Sequence, residues 1–91
     1  MIFDVHNETE ILEDGTICFD SPNQVEAESV DDLLRKIRDG EIDEFDDFVV
    51  NMIEQIDNNE LIVEIFLPYA ILFQFRFIEQ SVAAERRVKT D

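Results

Sequence analysis

LIVEIFLPYAILFQFRFI, residues 61–78, is the only long apolar run in this chain of 91 residues, and its alternation decides the fold. Leu61, Val63, Ile65 and Leu67 fall on one face of a first strand, and Ile71, Phe73, Phe75 and Phe77 on one face of a second. Pro68 and Tyr69 supply the break between them. Bringing both apolar faces to the same side sets Leu67 opposite Ile71, across a three-residue loop of Pro68, Tyr69 and Ala70. A two-residue turn would slip the register and turn one face outward. The same register lays Glu64 opposite Gln74 and diagonal to Arg76, so the polar face is consistent as well. Glu64, Pro68, Gln74 and Arg76 interrupt the run too often for a membrane span. The reading is a buried hairpin.

The rest of the composition bounds what can surround it. A single acidic domain, residues 1–91, is expected, burying roughly 60–65% of the surface its unfolded chain exposes. Hydrophobic residues make up 45% of the chain and eight of them are Phe, so a net charge of −16 does not signal a disordered tail. The opening MIFDVHNE has neither the basic region nor the apolar segment of a secretory signal, and the expected location is the cytoplasm. The one cysteine, Cys18, has no internal partner, fits a reducing compartment, and alternates with Ile17 and Phe19 as a structural thiol would. Residues 1–60 hold 19 of the 23 acids and three of the seven basic residues, a net of −16, whereas residues 61–91 are neutral. The excess charge therefore lies on the elements that cover the hairpin. Solubility alone is met by a net charge of about 2–8, and crowding beyond that destabilises the compact state.

Taken in order, residues 2–6 read as a strand. Glu10–Glu13 and Thr16–Asp20 flank Asp14-Gly15, the signal for a type I′ hairpin in which Leu12 pairs with Ile17. Ser21 to Glu28 reads as a loop. Ser29 caps a helix whose buried face is Val30, Leu33, Leu34 and Ile37, with Asp31–Arg35 and Asp32–Lys36 spaced as ion pairs. Gly40 ends it, and the cluster Arg35, Lys36 and Arg38 needs no further explanation. The spacing of Phe45, Phe48, Val49, Met52, Ile53 and Ile56 predicts a second helix from Asp43 to Asp57. Residues 80–91 suit a short helix or a frayed tail. The expected fold is α+β, two helices packed on an antiparallel sheet, in the order β-β-β-α-α-β-β. Ile62, Phe66, Leu72 and Ile78 point to the other face of the hairpin, as a dimer surface or a bed for the tail.

The chemistry of an enzyme is missing from the inventory. His6 and Cys18 are the only residues of their kinds, both glycines serve turns or caps, and no metal, phosphate-loop or nucleophile motif occurs. No catalytic residue, metal or cofactor is expected. Calcium is a poor fit for Asp39–Asp47, which has a single match to the spaced loop ligands and no mid-loop glycine. What remains is the anionic field. Duplex DNA carries one negative charge per ~1.7 Å of axis, and its binders present basic grooves for which a rigid array of carboxylates can compete. One helical step from i to i+4 advances ~6 Å, near two base steps of ~3.4 Å. Asp43 and Asp47 have that spacing, with Asp46 beside them and Glu54 and Asp57 continuing the row. A second row comes from Glu8, Glu10, Glu13 and Asp14, with Glu26 and Glu28 before the first helix. The alternative is an ordinary solvated face.

In size, acidity and composition, including the opening MIFDVHNETEILEDG, the chain resembles the small acidic anti-restriction proteins of phages, most of all the Arn type of T-even coliphages. That resemblance implies a DNA-mimic inhibitor, a possible homodimer, working in the host cytoplasm. It implies as targets a basic DNA-binding host protein or nuclease, namely a restriction nuclease of the McrBC type or the histone-like protein H-NS. Such a protein binds neither nucleic acid directly nor a membrane. The basic cluster at 35–38 and the neutral C-terminal third depart from a uniformly acidic mimic, so only part of the surface would imitate DNA. Two other readings stay open: an acidic immunity or antitoxin protein against one cognate nuclease, with Tyr69 as its aromatic anchor, and a non-inhibitory interaction module using Ile62, Phe66, Leu72 and Ile78.

Overall fold

Leu67 lies opposite Ile71 and Glu64 opposite Gln74, the register that the alternation of the apolar run demands. A computed structural model describes residues 1–18, 23–42, 49–67, 69 and 71–87. The hairpin is formed by β4 (Glu60–Leu67) and β5 (Ile71–Glu79), and Tyr69 at its tip has a left-handed backbone, φ 69°. β1 (Ile2–Asn7) pairs with the outer side of β5, and β2 (Asn23–Glu26) pairs with β1. β3 (Val49–Asp57) pairs with β4. The result is one antiparallel sheet in the order β2-β1-β5-β4-β3. A helix α1 (Val30–Arg38) connects β2 to β3, and α2 (Gln80–Arg86) follows β5 directly.

The α+β class and the two helices agree with the sequence reading, but the element order is β-β-α-β-β-β-α. The second helix is the main correction. Residues 43–48 lie outside the described residues, and 49–57 form an edge strand, not a helix. Its pairing with β4 shifts between Val50 and Met52 and again between Gln55 and Asp57, so Asn51 and Ile56 are bulges. Each bulge adds a residue without advancing the pairing. Val50 and Ile53 therefore lie on one face although three apart, as do Val49 and Met52 on the other. A strand with two bulges thus reproduces the i, i+3 spacing of a helix. The β-branched residues Val49, Val50, Ile53 and Ile56 suit the strand, and the Asp57 carboxylate accepts from the Asn59 N–H at 2.7 Å to close the turn into β4.

Two smaller corrections concern the first third. Asn23–Glu26 is an edge strand where a loop was expected. The Asp14-Gly15 turn also differs from the expected type. Leu12 and Thr16 are joined at 2.9 Å and Ile11 bridges Ile17, which leaves a three-residue loop with Gly15 at φ 88°. That is a type I turn with a glycine bulge, and it shifts the pairing by one residue from Leu12–Ile17. The part of the expected strand beyond Cys18 lies outside the described residues.

α1 forms where the sequence places it. The Ser29 hydroxyl accepts from the Asp32 N–H at 3.1 Å, and the Glu41 N–H returns to the Lys36 carbonyl at 2.9 Å where Gly40 turns left-handed. Its buried side chains, Val30, Leu33 and Ile37, cover one face of the sheet, where Phe3, Val5, Leu61, Val63, Ile65 and Phe77 form the main core. The opposite face is covered only at one end. There Ile78 packs with Ile17 and with Ala83 of α2. The terminal helix therefore takes Ile78 out of the expected dimer surface, leaving Ile62 and Phe66 half-buried and Leu72 exposed.

This division predicts unequal costs of truncation. Phe77→Ala should lower unfolding free energy by about 3–5 kcal/mol, as for a fully enclosed aromatic side chain. Leu72→Ala should cost less than about 1 kcal/mol, because its side chain is already half in solvent. Urea denaturation followed by circular dichroism reads both.

Candidate functional site

The second face of the sheet holds charge where the first holds hydrocarbon. Asp4 and His6 point to it from β1, Arg76 from β5 and Glu60 from β4, and Asp4, His6 and Glu60 are all buried. The Glu60 carboxylate, 3% exposed, accepts from Arg76 at 2.9 Å and from Arg86 at 2.7 Å. Arg76 also donates to Glu8, with its closest approach at 3.0 Å. Arg87, just past α2, pairs with Asp4, whose other oxygen accepts from Gln24 at 3.1 Å. Nδ1 of His6 lies 3.3 Å from Glu10, which also accepts from the Asn7 N–H at 3.1 Å. Four carboxylates thus face three guanidinium groups and one imidazole beneath the C-terminal helix.

This network settles where the basic residues of the neutral C-terminal third go. Arg76, Arg86 and Arg87 all turn inward. On α1, Arg35 binds Asp32, Asp39 and Glu41, and Lys36 donates to the Glu26 carbonyl at 3.0 Å. Hydrogen bonds from the Glu28 N–H and then from Arg35 hold the Asp32 carboxyl below the usual carboxylate range. Asp14 is held down in the same way by the Thr16 hydroxyl and N–H, and Glu64 by the side-chain amides of Gln74 and Asn51. Of the described basic residues, only Arg38 is in no ion pair given above, and it is exposed.

The acids expected at the site therefore divide. Glu8 and Glu10 are half-buried and engaged in the interior network. Asp43, Asp46 and Asp47 lie outside the described residues. Glu13 and Asp14 are exposed on the first turn, and Glu26 and Glu28 are exposed at the end of β2. Glu54 and Asp57 are exposed on the edge strand β3 and, because of the bulge at Ile56, share one face. The regular helical row of carboxylates does not exist at Glu54–Asp57, since these residues are extended. Sequence reasoning missed Asp31. It is exposed in the first turn of α1 and lines an open cleft of about 340 Å³ with Met1, Ser29, Gln55, Asn58 and Asn59. The cleft joins the acidic end of β2 and α1, carrying Glu28 and Asp31, to the end of β3 carrying Asp57. Its lining is polar and it holds no arrangement of nucleophile and base. Among the described residues no group of three or more His, Cys, Asp or Glu is placed to hold a metal ion, and no helix is long and apolar enough to cross a membrane.

Comparison with protein-family models, with curated proteins and with solved structures finds no match to this chain.

Two measurements test the electrostatics. Glu60→Gln should destabilise the fold by about 3–5 kcal/mol, because it leaves buried guanidinium groups without their shared counter-charge. In a double-mutant cycle the added Arg86→Gln should cost much less than it does alone. Asp32 has the opposite exposure and a pH signature. Its folded carboxyl titrates below the unfolded one, so its stabilisation is complete above the unfolded value of about 3.9 and is lost as pH falls through the folded value. The melting temperature of Asp32→Ala should lie below that of the unaltered protein at pH 7, and the gap should close in strongly acidic buffer.

Proposed function

We propose that the protein is an inhibitor that occupies the basic DNA-binding surface of a host protein by imitating the phosphates of a duplex. The observation that carries the reading is the inward or paired disposition of Arg35, Lys36, Arg76, Arg86 and Arg87, which leaves the outer acids uncompensated. A net charge of −16 held on a chain whose cations are mostly engaged internally gives a field of one sign over much of the surface. The contact surface supported by the geometry is the rim formed by Glu26, Glu28 and Asp31 on one side of the cleft and Glu54 and Asp57 on the other. These carboxylates are fixed to sheet and helix ends, so little ordering entropy is lost when a basic groove closes on them. The resemblance to phage anti-restriction proteins makes a McrBC-type nuclease and H-NS the first targets to test, in the cytoplasm of an infected host.

Purified McrBC and H-NS should each be tested for DNA release on addition of the protein, with competition by duplex and at rising salt. A working mimic displaces DNA, binds no DNA itself, and loses affinity steeply with salt. Replacing Glu28, Asp31, Glu54 and Asp57 together by their amides should weaken the inhibition at least about tenfold, a change of ~1.4 kcal/mol. Unchanged inhibition by that variant would rule out the rim as the contact.

One feature favours a second reading, an immunity protein against a single nuclease. Tyr69 is 96% exposed at the hairpin tip, and Ile71 and Leu72 beside it are half in solvent. Aromatic anchors of this kind concentrate binding energy in a few residues. Under that reading Tyr69→Ala abolishes binding while the amide variants retain it; under the mimic reading the order is reversed.

A further inference from the structure

β3 is the one long edge of the sheet. It has nine residues against four in β2, and among the described residues it is paired with β4 alone. Its side chains toward solvent are large and apolar as well as acidic: Val49 is 66% exposed, Met52 and Ile56 are close to half exposed, and Glu54 and Asp57 are exposed beside them. A free edge presents unpaired N–H and C=O groups and invites another strand. The bulges at Asn51 and Ile56 limit the flat part to Met52–Gln55, where the register with β4 is unbroken. On that part Met52 and Glu54 point to the ion-network face, while Ile53 and Gln55 point to the face covered by α1.

We propose that this edge docks an extended basic segment of a partner protein, which adds antiparallel as a sixth strand with Lys or Arg beside Glu54 and apolar residues beside Met52 and Ile53. Charge chooses the occupant. A second copy of the chain would bring a further −16 to the same edge, and a neutral or acidic strand gains nothing from Glu54, Asp57 or Glu64 on the neighbouring β4. A basic strand is attracted by all three. It also extends two apolar ledges, Met52 with Val49 on one face and Ile53 with Val50 on the other, both short of neighbours on the outer side. Main-chain hydrogen bonds would supply affinity and the alternating side chains specificity. This mode of contact does not depend on the target being a DNA-binding protein.

The test uses a capped decapeptide of alternating Lys and Val, its Glu–Val counterpart, and two Lys–Val peptides N-methylated on one or the other alternate set of residues. Binding to the intact protein is read by fluorescence anisotropy, and its location by amide hydrogen exchange in NMR spectra. The Lys–Val peptide should bind at low salt and newly protect amides within Met52–Gln55, while leaving Asn23–Glu26 unchanged. The N-methylated peptide that blocks the facing edge should bind at least about tenfold more weakly at equal charge, since it loses the main-chain bonds. The Glu54→Lys/Asp57→Lys variant, its fold checked by circular dichroism, should prefer the Glu–Val peptide. Equal binding by all the basic peptides would reduce the contact to charge alone and overturn the proposal. So would protection at β2, no binding at low salt, or concentration-dependent protection of β3 in the protein by itself, which would assign the edge to a second copy.

Discussion

The pairing of β4 with β5 is the constraint on which both faces of the molecule depend. With Leu61 opposite Phe77 and Val63 opposite Phe75, every large apolar side chain of the hairpin's first face meets α1. The same register sets Glu60 opposite Ile78 and Ile62 opposite Arg76 on the second face. A slip of one residue would expose the core and simultaneously drive Arg76 and Glu60 into hydrocarbon. Two independent penalties of opposite chemistry thus select one register. The ends of the chain then close over the second face in the only way that satisfies it, with Arg86 and Arg87 delivered by α2 and Glu8 and Glu10 by the turn after β1.

Burying that many charges is not a cheap route to stability. Desolvation offsets much of the attraction within each pair, and an apolar replacement of the same shape is often as stable. The arrangement has another consequence here. By drawing three arginines under the terminal helix, it removes them from the surface that Glu26, Glu28, Glu54 and Asp57 share. A chain with an apolar second core could hold the same fold, but its C-terminal arginines would then lie outside and weaken the field. The neutral composition of residues 61–91, which looks at odds with an anionic protein, is therefore what allows the exterior to stay anionic.

Local patterns in the sequence carried the hairpin, α1 and its cap, and the terminal helix, because in each the deciding interaction spans a few residues. The alternation of Val25 and Ala27 with Gln24 and Glu26 was also a strand signal. It was masked by the turn-forming Ser21-Pro22 before it. β3 was misread for a physical reason: two bulges give Val49, Val50, Met52 and Ile53 a spacing that a helix also produces, and only the partner strand distinguishes them. The interior network was not legible at all. Arg76 meets Glu8 across 68 positions and Arg87 meets Asp4 across 83, so no spacing rule connects them. The acids assigned to a phosphate-like row were identified by sign and not by place, and Glu8 and Glu10 proved to face the arginines instead.

Sheet geometry also bears on how an acidic surface is displayed. A helix sets carboxylates on a straight line at one pitch, whereas the edge of a twisted sheet presents them alternately with apolar side chains and exposed backbone. Glu54 and Asp57 stand in that second setting, beside Met52 and Ile56. A partner approaching them meets charge, hydrocarbon and hydrogen-bonding groups within the same few ångströms. Long-range attraction would draw any basic surface toward the protein, but only a surface able to lie along an edge strand satisfies all three once it arrives. The bulges that disguised β3 in the sequence thereby narrow the range of partners, since they leave a flat stretch of four residues and no more.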